Sequence, residues 1–191
     1  MNVCPWCVSD PLLRAYHDEE WGVPLYDDRK LFEFLMLESL QCGLSWLLML
    51  KNRAVFRQCF ADWDFDTVAA FTEADIARIL ETPGMLRSRR KVEAVISNAR
   101  CYQALRREYG SFSDWLWRFT DGQIIRDPAR ADGALPVRTP LSEAVAAALR
   151  ARGFRYLGPV TVYSFLQSCG VVDDHVKGCF RYCENPGAVV K

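Results

Sequence analysis

The chain has 191 residues, half of them apolar and 13% aromatic, with Lys plus Arg and Asp plus Glu balanced at 24 each. That length and apolar content support one sizeable core, as a single domain or two closely packed lobes, and exclude an extended disordered chain. The zero formal charge excludes a polycation that coats nucleic acid by bulk charge and leaves room for a local basic face.

Met1 to Cys7 lacks a basic region followed by an apolar run, so no secretory signal opens the chain and a cytoplasmic protein is expected. Strand signals are scarce, and the pattern reads as mostly helical. Leu31 to Leu50 is apolar and long enough to resemble a membrane span, but it carries Glu33, Glu38 and Gln41. A central acidic residue alone costs roughly 2.5–3.5 kcal/mol on insertion scales. Two buried helices are predicted instead, Asp28 to Gln41 and about Leu44 to Cys59, broken at Gly43.

Thr67 to Phe71 and Thr72 to Leu80 read as short helices, each headed by a threonine cap. Pro83-Gly84 ends the second. Arg89 to Glu108 is a long helix with Val92, Val95, Ile96, Ala99 and Tyr102 on one face, and Asp114 to Phe119 is a short aromatic one. Thr120 to Thr139, rich in Gly, Pro, Asp and Arg, is the candidate lobe boundary. Ser142 to Arg152 stops at Gly153, Tyr156-Leu157-Gly158-Pro159 forms a tight turn, and Val160 to Cys169 is the next helix. Val171 to Tyr182 follows.

Eight cysteines without a secretory signal do not suggest a disulfide framework. Cys42, Cys59, Cys101 and Cys169 fall in apolar or helical stretches and read as small core fillers. The others lie near the two ends, as do the only two histidines. On a helix, His175 and Cys179 would project from one face a turn apart, the spacing of two ligands to one metal. Cys4 and His17 can supply the other pair of a closed Cys2His2 zinc site. Cys7 and Cys183 leave the ligand choice open at this point.

The Gly158 turn lies between two helices and can bring backbone N–H groups at the next helix's start close to a DNA phosphate. A side chain at Gly158 is expected to block that approach and burden the turn. Arg150, Arg152 and Arg155 precede it, and Arg87, Arg89, Arg90 and Lys91 form a second basic cluster. Such runs are commonly solvated helix faces, but two of them beside two tight turns favour a nucleic-acid face.

Glu38 shares a helical face with Leu31, Phe34, Leu35 and Cys42, which aims an ionisable group into apolar surroundings. It must be hydrogen-bonded, protonated or lining a pocket. With Trp46 beyond Gly43, and Trp6, Tyr16 and Trp21 beside the metal candidates, it suits a flat base: rings stack on the faces and the acid accepts from an exocyclic amine.

Three long motifs carry a resemblance. Tyr16-His17-Asp18-Glu19-Glu20-Trp21-Gly22-Val23-Pro24, Leu37-Glu38 through Gly43-Leu44-Ser45-Trp46, and Arg152-Gly153-Phe154-Arg155-Tyr156-Leu157-Gly158-Pro159 through Asp174-His175-Val176 and Gly178-Cys179 closely resemble the bacterial 3-methyladenine DNA glycosylase I family. The resemblance runs from Cys4 to Cys179. It implies an all-α helix-hairpin-helix glycosylase fold over residues 1–191, its N- and C-terminal segments stapled by one structural zinc on Cys4, His17, His175 and Cys179. It also implies base recognition by Glu38 and Tyr16, with Trp46 stacking and Trp6 and Trp21 nearby. DNA binding is expected from the turn itself, through Gly158 and Pro159, with Arg87 and Arg90 of the second basic cluster alongside.

Departures from the family pattern are Ser39, where a glycine is usual, Leu13, in place of an aromatic, and Asp173, in place of Asn. Other helix-hairpin-helix glycosylases keep a catalytic aspartate in a Val-Asp-x-His stretch, so Asp173 is either such an acid or a helix N-cap, a role Asn fills equally well. The expected activity is hydrolytic release of 3-methyladenine from double-stranded alkylated DNA by a monomer without membrane contact. An ionised Glu38 would favour the cationic lesion. The alternative is a non-catalytic, zinc-stapled protein that recognises damaged DNA.

Overall fold

A computed structural model describes residues 2–127 and 135–182. Its central element is α2 (Asp28–Gln41), which begins where the Asp27 carboxylate accepts from the Lys30 N–H at 2.8 Å. Apolar nearly all round, it is buried at every position from Leu31 to Leu40, as such a pattern requires. Of the two acids inside that run, Glu33 binds Arg53 and Arg57, each at 2.8 Å, whereas the Glu38 carboxyl has no hydrogen-bond or ion-pair partner among the described residues. No helix among those residues is long and apolar enough to cross a membrane.

Before α2 lies α1 (Pro11–Glu19), capped by Asp10. Beyond the exposed Gly43, whose φ is +78°, the single helix expected to Cys59 is two, α3 (Trp46–Lys51) and α4 (Arg53–Cys59). They part at Asn52, whose carboxamide donates to the Leu48 carbonyl at 3.0 Å, the local competition that makes Asn a poor helix interior. A second correction concerns α5 (Phe65–Ala69): its cap is Asp64, accepting from the Thr67 N–H, so Thr67 lies inside the first turn. At α6 (Glu73–Glu81) the expected threonine cap is present, with Thr72 and Asp75 satisfying each other's N–H groups.

The long helix α7 (Arg89–Tyr109) buries Val92, Val95, Ile96, Ala99 and Tyr102. Next, α8 (Phe112–Trp117) starts two residues before the expected Asp114, because Ser111 caps it and the Asp28 carboxylate accepts from the Phe112 and Ser113 N–H groups. Asp28, the residue after the α2 cap, thus ties the first turn of α2 to the start of α8. Reciprocal bonds between Thr139 and Ser142 begin α9 (Pro140–Ala151), and α10 (Pro159–Ser168) follows after a short turn. Helix α2 packs against α3, α7, α8 and α10, and α10 packs also on α9.

The largest departure is at 171–182, where the described chain has no helix. Val172–Asp173 (β2) pairs in parallel with Ile125–Arg126 (β1), and turns follow. Strand pairing engages the backbone of this stretch, the Val171 carbonyl accepting from the Ile125 N–H at 2.9 Å, and Gly178 at φ +89° breaks any helical run. Within the expected 120–139 boundary, residues 128–134 lie outside the described residues, as does Cys183.

Candidate functional site

A cavity of about 230 Å3 opens between α1, α2, α3 and α10. The structure brings all five expected base-site residues to its wall: Trp6, Tyr16, Trp21, Glu38 and Trp46. Tyr16 is at the centre of the aromatic part, its ring 5.2 Å from Trp46 and 6.2 Å from Trp6. Burial, with the nearby Glu38 carboxyl adding to it, holds the Tyr16 phenol well above its ordinary pKa, so it keeps its proton as a donor. The Trp46 indole N–H is buried with no acceptor among the described residues.

Glu38 is 4% exposed, and burial alone pushes its carboxyl up to about 8. Burial by itself therefore favours the protonated acid at neutral pH, which corrects the expectation of an acid ionised in the absence of a charged partner. A ligand bearing positive charge or N–H donors would draw that proton off, because opposite charge and donated hydrogen bonds favour the ionised form.

Reasoning from sequence missed four wall residues, Gln41, Leu135, Ser164 and Gln167. Ser164 and Gln167 stand three apart on α10, so both reach one side. That spacing on an otherwise apolar helix was the available signal. Asp173 is not among the lining residues. Its side chain is 8% exposed, paired with Arg126 at 2.7 Å, and accepts from the His175 N–H at 3.3 Å. No helix follows it, so the N-cap reading is replaced by an Asx-type turn with an ion pair.

The cavity's aromatic wall is shared with a second cluster. Trp21 lies 4.6 Å from the His175 ring, and Trp6 lies 5.5 Å from His17. Gly22, at φ +76°, makes this packing possible, since a Cβ there would meet His175 Nε2 at 2.7 Å. Cys4, His17, His175 and Cys179 are all buried, with their ligand atoms within 4.8 Å of one another. His175 and Cys179 converge through turns rather than along a helix.

The donor set suits a tetrahedral metal. A thiolate sulfur at about 2.3 Å and an imidazole nitrogen at about 2.0 Å from one ion would lie roughly 3.5 Å apart. The sulfur–nitrogen separations found are 3.6, 3.5 and 3.7 Å. Burial lowers His175 to about 4, which keeps a lone pair free, and raises the Cys4 thiol to about 12. Backbone N–H groups of Val176 and Arg181 point at the two sulfurs, each at 3.5 Å. His17 meets Asp18 through Nδ1 at 2.7 Å, turning Nε2 to the cluster, the carboxylate–histidine support common around ligating imidazoles. Cys7 is apart from the four, its thiol donating to the Cys4 carbonyl at 3.1 Å.

The expected basic clusters divide. Arg89 is held by Glu73 and Glu93, and Arg152 by Glu108. Lys91 donates to the Leu40 and Cys42 carbonyls at 2.6 and 2.8 Å. Arg87 and Arg90 are exposed, and neither side chain has a hydrogen-bond or ion-pair partner among the described residues; Arg87 lines a second hollow of about 610 Å3 between α6 and α7. Cys42 is no core filler, for its half-buried thiol donates to the Tyr156 carbonyl at 3.4 Å in the α9–α10 turn. Lys91 and Cys42 thereby join the start of α7, the exposed Gly43-Leu44-Ser45 loop and the turn along one edge. Gly158 has φ −75°, and a Cβ there meets nothing within 4 Å. The turn does not require glycine, which corrects that part of the expectation and leaves only the approach of a partner as a reason for it.

The methyladenine glycosylase family model matches residues 6–182. DNA-3-methyladenine glycosylase 1 of Escherichia coli (strain K12) is 43% identical over 185 residues, covering 97% of this chain and 99% of that protein. A crystal structure of 3-methyladenine DNA glycosylase I superposes with a TM-score of 0.91 at 46% identity, covering 95% of this chain and 100% of that one. A Tyr-to-Phe variant of 3-methyladenine DNA glycosylase I in complex with 3-methyladenine gives 0.88 at 37% identity, covering 94% and 96%.

Proposed function

Because the chain belongs to the methyladenine glycosylase family and is a hydrolase that releases 3-methyladenine from alkylated DNA, we propose that it turns the damaged base into the Glu38 cavity and cleaves the glycosidic bond there with water. The observation that carries this is Glu38 itself, a buried acid whose carboxyl has no partner among the described residues, open to an aromatic cavity. Drug-sized pockets run to roughly 300–1,000 Å3, and the smaller space here suits a single planar base between Trp46 and the Trp6 side.

Methylation at N3 gives the base in DNA a positive charge. When the C1′–N9 bond breaks, its electron pair passes to the base, which leaves neutral without being protonated by an acid. The sugar left behind is oxocarbenium-like, and water adds at C1′ with loss of a proton. Glu38, ionised by the cation it faces, selects that charge over neutral adenine, and Tyr16 donates from the same wall. No lysine is among the cavity-lining residues described, so no covalent sugar–enzyme intermediate is assigned and the DNA backbone is left uncut. Asp173 is given a supporting place through Arg126 rather than a step in the reaction.

The duplex is held by a helix-hairpin-helix unit formed of α9, the Gly158-Pro159 turn and α10. First-turn N–H groups of α10 face a phosphate there, with Arg87 and Arg90 contributing charge. Cys4, His17, His175 and Cys179 hold one structural zinc that closes the two ends into a single glycosylase domain of two packed lobes, acting as a monomer. Incubation with N-methylated duplex should yield free 3-methyladenine and abasic, uncut strands. Strand scission by the protein itself, or no free base, would overturn the reading.

A further inference from the structure

Two buried polar side chains beside the cavity have no part in the reading so far. Gln167, 8% exposed on α10, lines the cavity, and its Nε2 donates to Asp174 Oδ2 at 2.8 Å. The Tyr163 hydroxyl donates to the same carboxylate oxygen, and Asp174 is itself 4% exposed. A carboxylate only accepts, while an amide has a donating and an accepting end. Rotating the Gln167 amide by half a turn would set Oε1 against Oδ2, two acceptors in contact where water cannot screen them. The amide is therefore fixed with Nε2 on Asp174, and Oε1, which accepts no bond among the described residues, is the end left for the cavity.

We propose that Gln167 is a second specificity-determining acceptor of this cavity, locked by Asp174 so that Oε1 meets an N–H of the purine's exocyclic amine. The proposal rests on the reading that the cavity holds the base. With Glu38 on one N–H and Gln167 on the other, the wall fits a 6-amino purine and opposes a 6-oxo one, whose oxygen would face Oε1. Asp174 acts through Gln167 and is a positioning residue.

The test measures binding of free 3-methyladenine, its 6-oxo counterpart 3-methylhypoxanthine, and 3-methylpurine, which lacks the amine, to the full, metal-loaded chain by tryptophan fluorescence. The parent should prefer the amino to the oxo ligand by at least about tenfold. Gln167→Met should lose about tenfold for 3-methyladenine and stay within about twofold for 3-methylpurine. Asp174→Asn can donate to Oε1, so it frees the amide to turn and should narrow the amino-to-oxo preference by about tenfold at unchanged metal content. An equal change for all three ligands in Gln167→Met, or none, overturns the proposal whether or not Asp174→Asn folds. A parent chain that binds none of the three would instead overturn the cavity reading beneath it.

Discussion

At the scale of single residues, Glu38 couples ligand binding to protons. Its folded pKa of about 8 lies above the ordinary 4.5, so the folded chain holds this proton more tightly than the unfolded one. Its stabilising share is therefore complete below pH 4.5 and is lost as pH rises through about 8. Binding of a cationic base has the opposite preference, because it needs the ionised acid. Base release under subsaturating single-turnover conditions, which report the free chain, should rise with pH by up to about tenfold per unit toward pH 8 and level off above it, while Glu38→Gln should show no such rise. A parent profile as flat as the variant's would contradict the coupling.

Asp173 makes a contrasting case. Asp173→Asn keeps an oxygen for the His175 N–H and gives up the charge that pairs with Arg126. Its rate should stay within about tenfold of the parent, or roughly 1.4 kcal/mol in the barrier, with some loss of melting temperature. A thousandfold fall with fold and metal intact would make it a catalytic carboxylate. Residues of unusual chemistry, such as His17, Glu38, Trp46 and Cys179, were legible because their types and motifs stand out. Gln167 and Asp174 were not, since their meaning lies in a contact between α10 and the chain beyond its end, which no helical period marks.

Among the elements, those bounded by strong local signals were the readable ones. The continuous apolar run of α2, the Thr72 cap of α6 and the patterned face of α7 agree with the structure almost to the residue. Errors arose where a side chain outside the pattern decides: Asn52 dividing α3 from α4, Asp64 capping α5, and strand pairing at Val172 in place of a helix. The last misreading still placed His175 and Cys179 together, because the turns achieve what the helical spacing would have.

The α9–α10 turn offers a clean probe at this scale. With ordinary φ and open space at Gly158, Gly158→Val should fold as the parent does and weaken duplex binding more than binding of free 3-methyladenine. Arg87→Ala and Arg90→Ala should each lower duplex affinity and reduce its salt slope by about one unit. Unchanged slopes would remove those arginines from the interface, and a misfolded Gly158→Val would assign the glycine to the turn after all.

Across the whole molecule, the buried cluster and the cavity share Trp6 and Trp21, so the closure of the chain ends and the shape of the base site are one construction. The two end segments of this join also bond directly, Phe180 N–H to the Asn2 carbonyl at 3.0 Å. Purified protein should hold about one zinc per chain, and Cys179→Ser or His17→Ala should lose metal and stability together, since binding energy at a closed site is folding energy. Cys7→Ser should keep the metal. Fully active protein without metal would refute the assignment.

The central claim is that Glu38, a buried acid whose carboxyl has no partner among the described residues, selects and helps release the charged base. Glu38→Gln resembles the protonated acid in shape and charge, so it should fold as well as the parent, and its loss of activity can be read as chemistry. The decisive measurement is single-turnover release of free 3-methyladenine from alkylated duplex at pH 8, parent against Glu38→Gln, with affinity for unmodified duplex measured alongside. A fall of at least about a hundredfold, or roughly 2.7 kcal/mol, with duplex affinity within about twofold is the predicted result; release within about threefold of the parent would contradict it.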